Sequence, residues 1–186
     1  MTSQTIQAPV VPTTGTYTID AAHSSVGFSV RHVGIARVRG TMGVFSGQFV
    51  IADPIEQSKA DVKIDASSVD TGNKQRDEHL VSADFWDAEK NPEWTFTTTS
   101  ITGDLDDMTV TGDLTINGVT KPVTLSAEFG GAATGPSGET RASFSATTSI
   151  SRKDFGLTWN VALEGGGVMV SDKVNVELDV VGVLEN

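Results

Sequence analysis

Apolar and polar side chains alternate along most of this chain, and this pattern restricts it to extended structure. In the run KVNVELDV (173–180) every second residue is Val or Leu, and the residues between them are charged or carry an amide. Successive side chains of a β-strand point to opposite faces, so the pattern predicts strands with one apolar and one polar face. Strands of this kind joined by short turns favour an antiparallel sheet, arranged as a sandwich or a closed barrel.

The same alternation predicts about nine strands over the whole chain. They cover residues 17–19, 24–33, 41–51, 60–66, 93–100, 108–116, 119–129, 144–150 and 174–180. The period slips near Ser46 and Gly47, and a glycine inside a strand pattern predicts a bulge there.

The dipeptide Asn117-Gly118 separates two alternating runs and is the strongest short-range hairpin signal in the chain. A two-residue turn pairs Ile116 with Val119 and Leu114 with Lys121. Lys121 is therefore predicted to share the inner face with its apolar neighbours.

One short helix is predicted between the fourth and fifth strands. Residues 70–73 (DTGN) offer N-cap side chains, and KQRDEHLVS (74–82) follows with Leu80 and Val81 to bury. We expect this helix to lie on or across one end of the sheet structure. Arg76 and His79 share one of its faces, where they are expected to brace that end.

Length and charge limit the domain count and the partners. The chain has 186 residues, which fits a single domain, and we predict a flexible tail over residues 1–15 and one domain over residues 16–186. The tail lacks the basic and apolar regions of a signal peptide, which predicts a cytoplasmic protein without a membrane-spanning segment. The net charge of −11 disfavours nucleic acid and anionic membrane surfaces as partners. A homodimer and a monomer both stay open.

The three histidines raise the alternative of a metal- or histidine-dependent enzyme. His23 and His79 have Asp20 and Asp77 nearby in sequence, and His32 ends the apolar stripe of SSVGFSVRH (24–32). No His-x-His or His-Glu-x-x-His spacing is present, so a metal site is disfavoured. Ser24 follows His23 directly, but adjacent strand residues point to opposite faces and cannot form a nucleophile–base pair.

Six segments, taken in order, resemble the YceI family of lipid-binding proteins. They read YTIDAAHSSVGFSVRH, VRGTMGVFSGQF, SSVDTGNKQRDEHLVSADFWD, NPEWTF, GDLTINGVTKPVTL and SRKDFGL, and the resemblance covers roughly residues 16 to 183. It implies an all-β fold, an extended lipocalin-like barrel of eight antiparallel strands with a short helix near one end. It also implies a long apolar pore that holds a polyisoprenoid or similar amphiphile, and no established catalytic activity. The family's Asp-Phe-Phe-Asp motif is replaced here by residues 84–87 (DFWD), whose larger Trp86 would narrow one pore end.

These observations together predict a non-enzymatic protein that binds, stores or transports an elongated isoprenoid lipid. Small inward residues, namely Gly112, Ala127, Ala146 and Thr148, are expected to leave volume along the barrel axis. The predicted pore residues are Phe28, Val30, Phe45, Phe49, Trp94, Phe96, Leu114 and Phe144. The predicted headgroup residues are His32, Lys121, Arg31 and Arg39. No metal and no cofactor is expected, other than a bound isoprenoid lipid or quinone-like molecule.

Overall fold

A computed structural model of the chain describes residues 11–186 and contains eleven β-strands and one α-helix in that range. Residues 1–10 lie outside the described part, and with them most of the predicted tail. The strands are β1 (Gly15–Ile19), β2 (Ser25–His32), β3 (Ala36–Met42), β4 (Phe45–Ile51), β5 (Lys59–Asp65), β6 (Val69–Asp70), β7 (Glu93–Asp104), β8 (Asp107–Ile116), β9 (Val119–Thr134), β10 (Thr140–Ser151) and β11 (Val170–Leu184). The helix is α1 (Lys74–Val81), and short 3₁₀ helices cover Ala21–His23, Ile55–Gln57 and Arg152–Phe155.

The strands close into an eight-stranded antiparallel barrel, as the family resemblance implied. β1 and β2 both pair with β11 and act as two halves of one barrel strand, while β4 and β3 pair with them and form the next. β5, β7, β8, β9, β10 and β11 complete the ring, and β6 adds only a two-residue pairing to β3. Closure gives every strand of the ring two neighbours over part of its length, and the unpaired stretches include part of β3 and the first half of β9.

The Asn117-Gly118 hairpin has the predicted register. Ile116 pairs with Val119 and Leu114 with Lys121, and both turn residues have positive φ, 53° at Asn117 and 71° at Gly118. These values define a type I′ turn, whose twist matches the twist of the flanking strands. The Asn117 side chain also donates to the Phe155 carbonyl and accepts from Asn91, which ties the turn to two neighbouring loops.

The helix also forms where it was predicted. The Asn73 side chain accepts a hydrogen bond from the backbone N–H of Arg76, which caps the first turn of α1. Arg76 then donates from Nε and Nη2 to the hydroxyl and carbonyl oxygens of Thr71. Of the residues described, 11–186, none belongs to a helix long and apolar enough to cross a membrane.

Two strand predictions were wrong. β4 pairs with β5 without a register shift, so there is no bulge at Ser46 and Gly47; Gly47 instead allows a close approach, because an added Cβ would lie 2.2 Å from the Asp61 carbonyl oxygen. The single strand predicted over residues 41–51 is interrupted at Gly43 and Val44, so that it covers the end of β3 and all of β4, and β3 begins at Ala36, five residues before the predicted start. One of the inward positions of β3 is Gly40. Because glycine has no side chain, the alternation of apolar and polar residues is not visible in this part of the sequence.

The barrel has two differently built ends, each with its own buried cluster. The packed end is defined by Tyr17, Ile19, Phe45, Phe49, Ile51 and Ala142. The capped end is defined by Met42, Ala66, Val69, Phe85, Trp86, Ile116, Val123, Phe155 and Leu157, and it receives α1 and the loops around it. Because the strands run up and down, the β2–β3 turn, the β8–β9 turn and the segment between β10 and β11 also lie at the capped end.

Candidate ligand-binding cavity

A cavity of about 330 Å³ lies inside the barrel and is lined by residues of both clusters, mostly those of the capped end. Nearly all of its lining is apolar, contributed by every barrel strand and by the loops of the capped end. The exceptions are six polar side chains, which are His32, Thr71, Arg76, His79, Thr148 and Arg152. A volume of this size, with a few polar groups in an apolar wall, is typical of a site for a small molecule.

Six of the eight predicted pore residues line this cavity, and two do not. The six are Phe28, Val30, Phe45, Trp94, Phe96 and Leu114. Phe49 instead stacks on Tyr17 with ring centroids 5.1 Å apart, and Phe144 meets Phe49 edge-on at 5.5 Å. Tyr17 and Phe49 are paired residues of the neighbouring strands β1 and β4, and Phe144 reaches them from β10, so the three rings fill the packed end. A role in ligand binding stays a prediction for the six lining residues.

The predicted free volume beside small residues was largely wrong. Phe96 covers Gly112 so closely that an added Cβ would lie 2.3 Å from its ring, and Phe28 covers Gly40 in the same way at 2.4 Å. Of the other small inward residues, Thr148 lines the cavity, whereas Ala127 and Ala146 do not. The glycines therefore accommodate aromatic rings of the cavity wall and do not add empty space.

Of the four predicted headgroup residues, one lines the cavity and three do not. His32 lines the cavity, but Arg31 and Arg39 are exposed on the outer face of β2 and β3. Alternation explains this, because Arg31 lies between two inward residues. Lys121 is opposite Leu114 as predicted, yet it is exposed and does not line the cavity. The reason is that β9 pairs with β10 only from Ser126 onward, so its first half has no neighbour to enclose the lysine.

Arg76 and His79 line the cavity from α1, where the sequence predicted only a bracing role. His79 Nε2 lies 2.8 Å from an Asp84 carboxylate oxygen, and its ring packs edge-on against Phe85 and Trp159. Its side chain is 40% exposed, so this histidine reaches both the cavity and solvent. The sequence feature that could have revealed this role is the position of His79 on the helix face that carries Leu80.

Arg152 is the polar residue that sequence reasoning missed. It is 4% exposed and donates from Nε to the Ser171 carbonyl, from Nη1 to the carbonyls of Leu157 and Trp159, and from Nη2 to that of Val170. Burial lowers the pKa of its guanidinium, and the charge of Asp172 at 3.8 Å opposes that effect. Arg152 thus holds the segment between β10 and β11 against the cavity through backbone carbonyls.

Two tryptophans meet at the capped end with different hydrogen bonding. Trp86 is 6% exposed and donates from Nε1 to the Ala66 carbonyl at 2.8 Å. Trp94 packs edge-on against it at 5.1 Å, and its buried Nε1 has no partner in the described part of the chain. Both line the cavity at this end, and a narrowing of the pore by Trp86 stays a prediction.

The three histidines do not converge. His23 pairs with Asp20, which also binds Arg141, near the junction of β1 and β2. His32 lies at the far end of β2, nine residues further along extended chain, about 30 Å away. Within residues 11–186, no group of three His, Asp or Glu side chains is placed to hold a metal ion.

The fold and cavity together define a class, that of small closed antiparallel barrels with an apolar internal site. The YceI-like domain model matches residues 17–182, and this chain belongs to the YceI family. It is 44% identical over 144 residues to protein YceI of Escherichia coli, covering 76% of this chain and 75% of the relative.

Solved structures agree with this assignment. A Campylobacter jejuni YceI protein matches with a TM-score of 0.72 and 36% identity, covering 91% of this chain and 98% of that protein. A polyisoprenoid-binding domain from Saccharophagus degradans matches with a TM-score of 0.65 over 91% of this chain and 98% of that domain. Its identity is 19%, so this second likeness concerns the fold alone.

Proposed function

We propose that this protein is a non-enzymatic binding protein that holds an elongated apolar ligand, a polyisoprenoid or related isoprenoid lipid, for storage or transport. The observation that carries the proposal is the cavity, with its apolar wall along the barrel and its charged residues at the capped end. The description of the Saccharophagus degradans domain as polyisoprenoid-binding supports the choice of ligand class.

The arrangement suits a molecule with an apolar chain and one polar end. Burial of each methylene contributes about 0.8 kcal/mol, so a chain of ten carbons contributes about 8 kcal/mol before the costs of association. The polar end would then lie near His32, Arg76 and His79. Affinity is expected to come from the chain, and the polar residues are expected to select among headgroups.

The test is the mass of lipid extracted from purified protein. Val30→Trp, which fills the cavity, and Phe28→Asp, which places a charge in its wall, should each remove most of the bound lipid. Val44→Trp is the matched control because Val44 is 60% exposed and outside the cavity wall. Equal lipid in Val30→Trp and in the parent would contradict the proposal.

A second comparison addresses the headgroup. His32→Ala should change which lipids are retained, whereas Lys121→Ala, at an exposed site outside the cavity, should not. Elemental analysis of the same samples addresses the enzymatic alternative. A stoichiometric metal lost on His79→Ala, with unchanged lipid content, would favour that alternative.

A further inference from the structure

The capped end carries an exposed apolar surface next to the cavity. Ile35 is 82% exposed and Val33 40% exposed at the β2–β3 turn, and Val161 and Val168 are 39% and 46% exposed on the adjacent segment. The two parts are joined, because Val33 N–H donates to the Met169 carbonyl and Met169 N–H donates to that of Val161. We call these four residues, with Arg31, Arg37 and Arg39, the mouth patch.

The turn that displays Val33 is unfavourable for that residue. Val33 and Gly34 have φ of 54° and 74°, nearly the same values as Asn117 and Gly118 in the β8–β9 turn. Asparagine adopts positive φ readily, whereas a β-branched residue there is strained. The chain thus uses Asn-Gly in one turn and Val-Gly in the other, where the apolar side chain is exposed. Strain of this kind, held in an exposed turn, points to function.

The arginines of the mouth patch also lie in positions that destabilise the sheet locally. Arg31 lies directly opposite Arg37 across β2 and β3, a like-charge pair that destabilises a sheet. None of the three arginines forms an ion pair with another residue of the range 11–186. The sequence has no Asp or Glu between Asp20 and Asp53, although it has 24 acidic residues in total. An anionic partner would remove the repulsion.

Most acidic groups of the capped end have partners there. Asp172 at the start of β11 pairs with Lys153 and Arg152, Asp77 of α1 accepts from the Thr71 hydroxyl, and Asp84 pairs with His79. Glu164 is exposed in the same segment as Val161. Other carboxylates lie further away along the barrel, which extends about 50 Å if β11 is fully extended at its 15 residues. The Debye length at physiological salt is about 8 Å, so distant carboxylates are screened at the patch. On the outer face of β2 and β3 the three arginines are therefore the charges that a surface approaching from this side meets first, although the net charge of the chain is −11.

We propose that the mouth patch docks this protein on an anionic lipid bilayer. Val33 and Ile35 enter the headgroup region while the three arginines contact lipid phosphates. His32, Met169 and Val170, which line the cavity, adjoin the patch directly, so docking brings this end of the cavity to the membrane surface. This docking goes beyond the proposed function, and vesicle binding tests it whatever the cavity contains.

The experiment is co-sedimentation of the full chain with vesicles of phosphatidylcholine containing about 30% phosphatidylglycerol. We expect binding to these vesicles, weaker binding to pure phosphatidylcholine, and loss of binding in 1 M salt, where the Debye length falls to about 3 Å. Each arginine near an anionic surface contributes roughly 5-fold, so Arg31→Gln, Arg37→Gln and Arg39→Gln together should weaken partition on the order of 100-fold. Ile35→Ser should weaken it about 5- to 10-fold, and Ile35→Trp should preserve or strengthen it.

Matched controls separate the patch from general charge and hydrophobicity. Lys59→Gln, Lys63→Gln and Lys121→Gln together make the same change in net charge outside the patch, and Val44→Ser removes an apolar side chain that is 60% exposed and also outside the patch. Both should bind as the parent does. The proposal is overturned if the controls lose as much binding as the patch variants, or if the parent ignores phosphatidylglycerol. A dimer of the parent in solution that Ile35→Ser converts to monomer would assign the patch to self-association and would also overturn it.

Discussion

The packed end and the capped end are built from the same alternating strands, yet only one of them is filled by its own side chains. At the packed end Tyr17 is fully buried and stacks on Phe49, which in turn meets Phe144. At the capped end the inward rings of Phe28 and Phe96 lie against glycines and face the cavity. An inward aromatic residue therefore indicates a ligand site only where no aromatic ring from another strand packs against it.

The two ends also differ in how they are held together. At the packed end stacked rings and aliphatic side chains fill the interior, and the ion pairs of Arg141 with Asp20 and Glu139 lie at its surface. The capped end depends on buried polar contacts, above all those of Arg152 with backbone carbonyls and of Trp86 with Ala66. Such contacts fix loops in one arrangement but leave costly unpaired groups when one partner is lost.

The largest difference between the ends should appear when one ring is removed from each. Phe49→Ala should lower the free energy of unfolding by about 4 kcal/mol, because it opens a cavity among packed rings. Phe28→Ala should cost about half as much, since Phe28 already borders open space and makes fewer contacts on that side. Urea unfolding of both variants measures this. Equal losses would mean that the two ends are equally well packed.

The next effect concerns the polar support of the capped end. Arg152→Met keeps the side chain's length but leaves several carbonyls without donors, and it should cost about 3 kcal/mol. Hydrogen exchange should rise first between residues 157 and 170, while β1 and β4 keep their protection. Uniform loss of protection over both ends would show that Arg152 supports the whole barrel and not this segment.

A smaller effect separates the two neighbouring tryptophans. Trp86→Phe removes a hydrogen bond and leaves the Ala66 carbonyl unpaired, whereas Trp94→Phe removes a buried donor that has no partner. We expect Trp86→Phe to be less stable than Trp94→Phe by about 2 kcal/mol, although both lose the same volume. Thermal melts of lipid-free protein provide the comparison. The prediction fails if the two variants melt together.

The smallest effect tests the two turns with matching backbones. Val33→Asn should stabilise the protein by about 1 kcal/mol by relieving the strain at positive φ. Asn117→Val should destabilise it by at least as much, because it introduces that strain and removes contacts with Asn91 and Phe155. Equilibrium unfolding in urea measures both. If Val33→Asn were neutral or harmful, the hairpin tip would not be strained.

Local sequence patterns were sufficient for several elements. The register of the β8–β9 hairpin follows from Asn117-Gly118, and α1 follows from Asn73 and the residues after it. Both depend on contacts within a few positions, so the sequence shows them directly. The missed start of β3 illustrates the limit, because Gly40 has no side chain to mark the inner face and Phe28 of the neighbouring strand takes its place.

The candidate site was only partly predictable for a related reason. His32, Phe28 and Val30 follow from alternation in one strand, but Arg152 reads as an ordinary charged residue until the fold surrounds it with carbonyls. Lys121 has the predicted pairing yet is exposed, since its exposure depends on where β10 begins to pair with β9. Alternation assigns each residue to the inner or the outer face of the sheet, but it does not show how deeply that position is buried.

The sequence by itself determined the antiparallel β architecture, the single helix and the principal hairpin, because these are set by neighbours two to four positions apart. Only the tertiary structure decided which stretch of the barrel is empty and which is filled. That depends on whether side chains from strands far apart in the chain pack against one another inside the barrel, as those of Tyr17, Phe49 and Phe144 do at the packed end. Where they do not meet, the barrel keeps a cavity, and the charged residues of α1 and Arg152 surround its end.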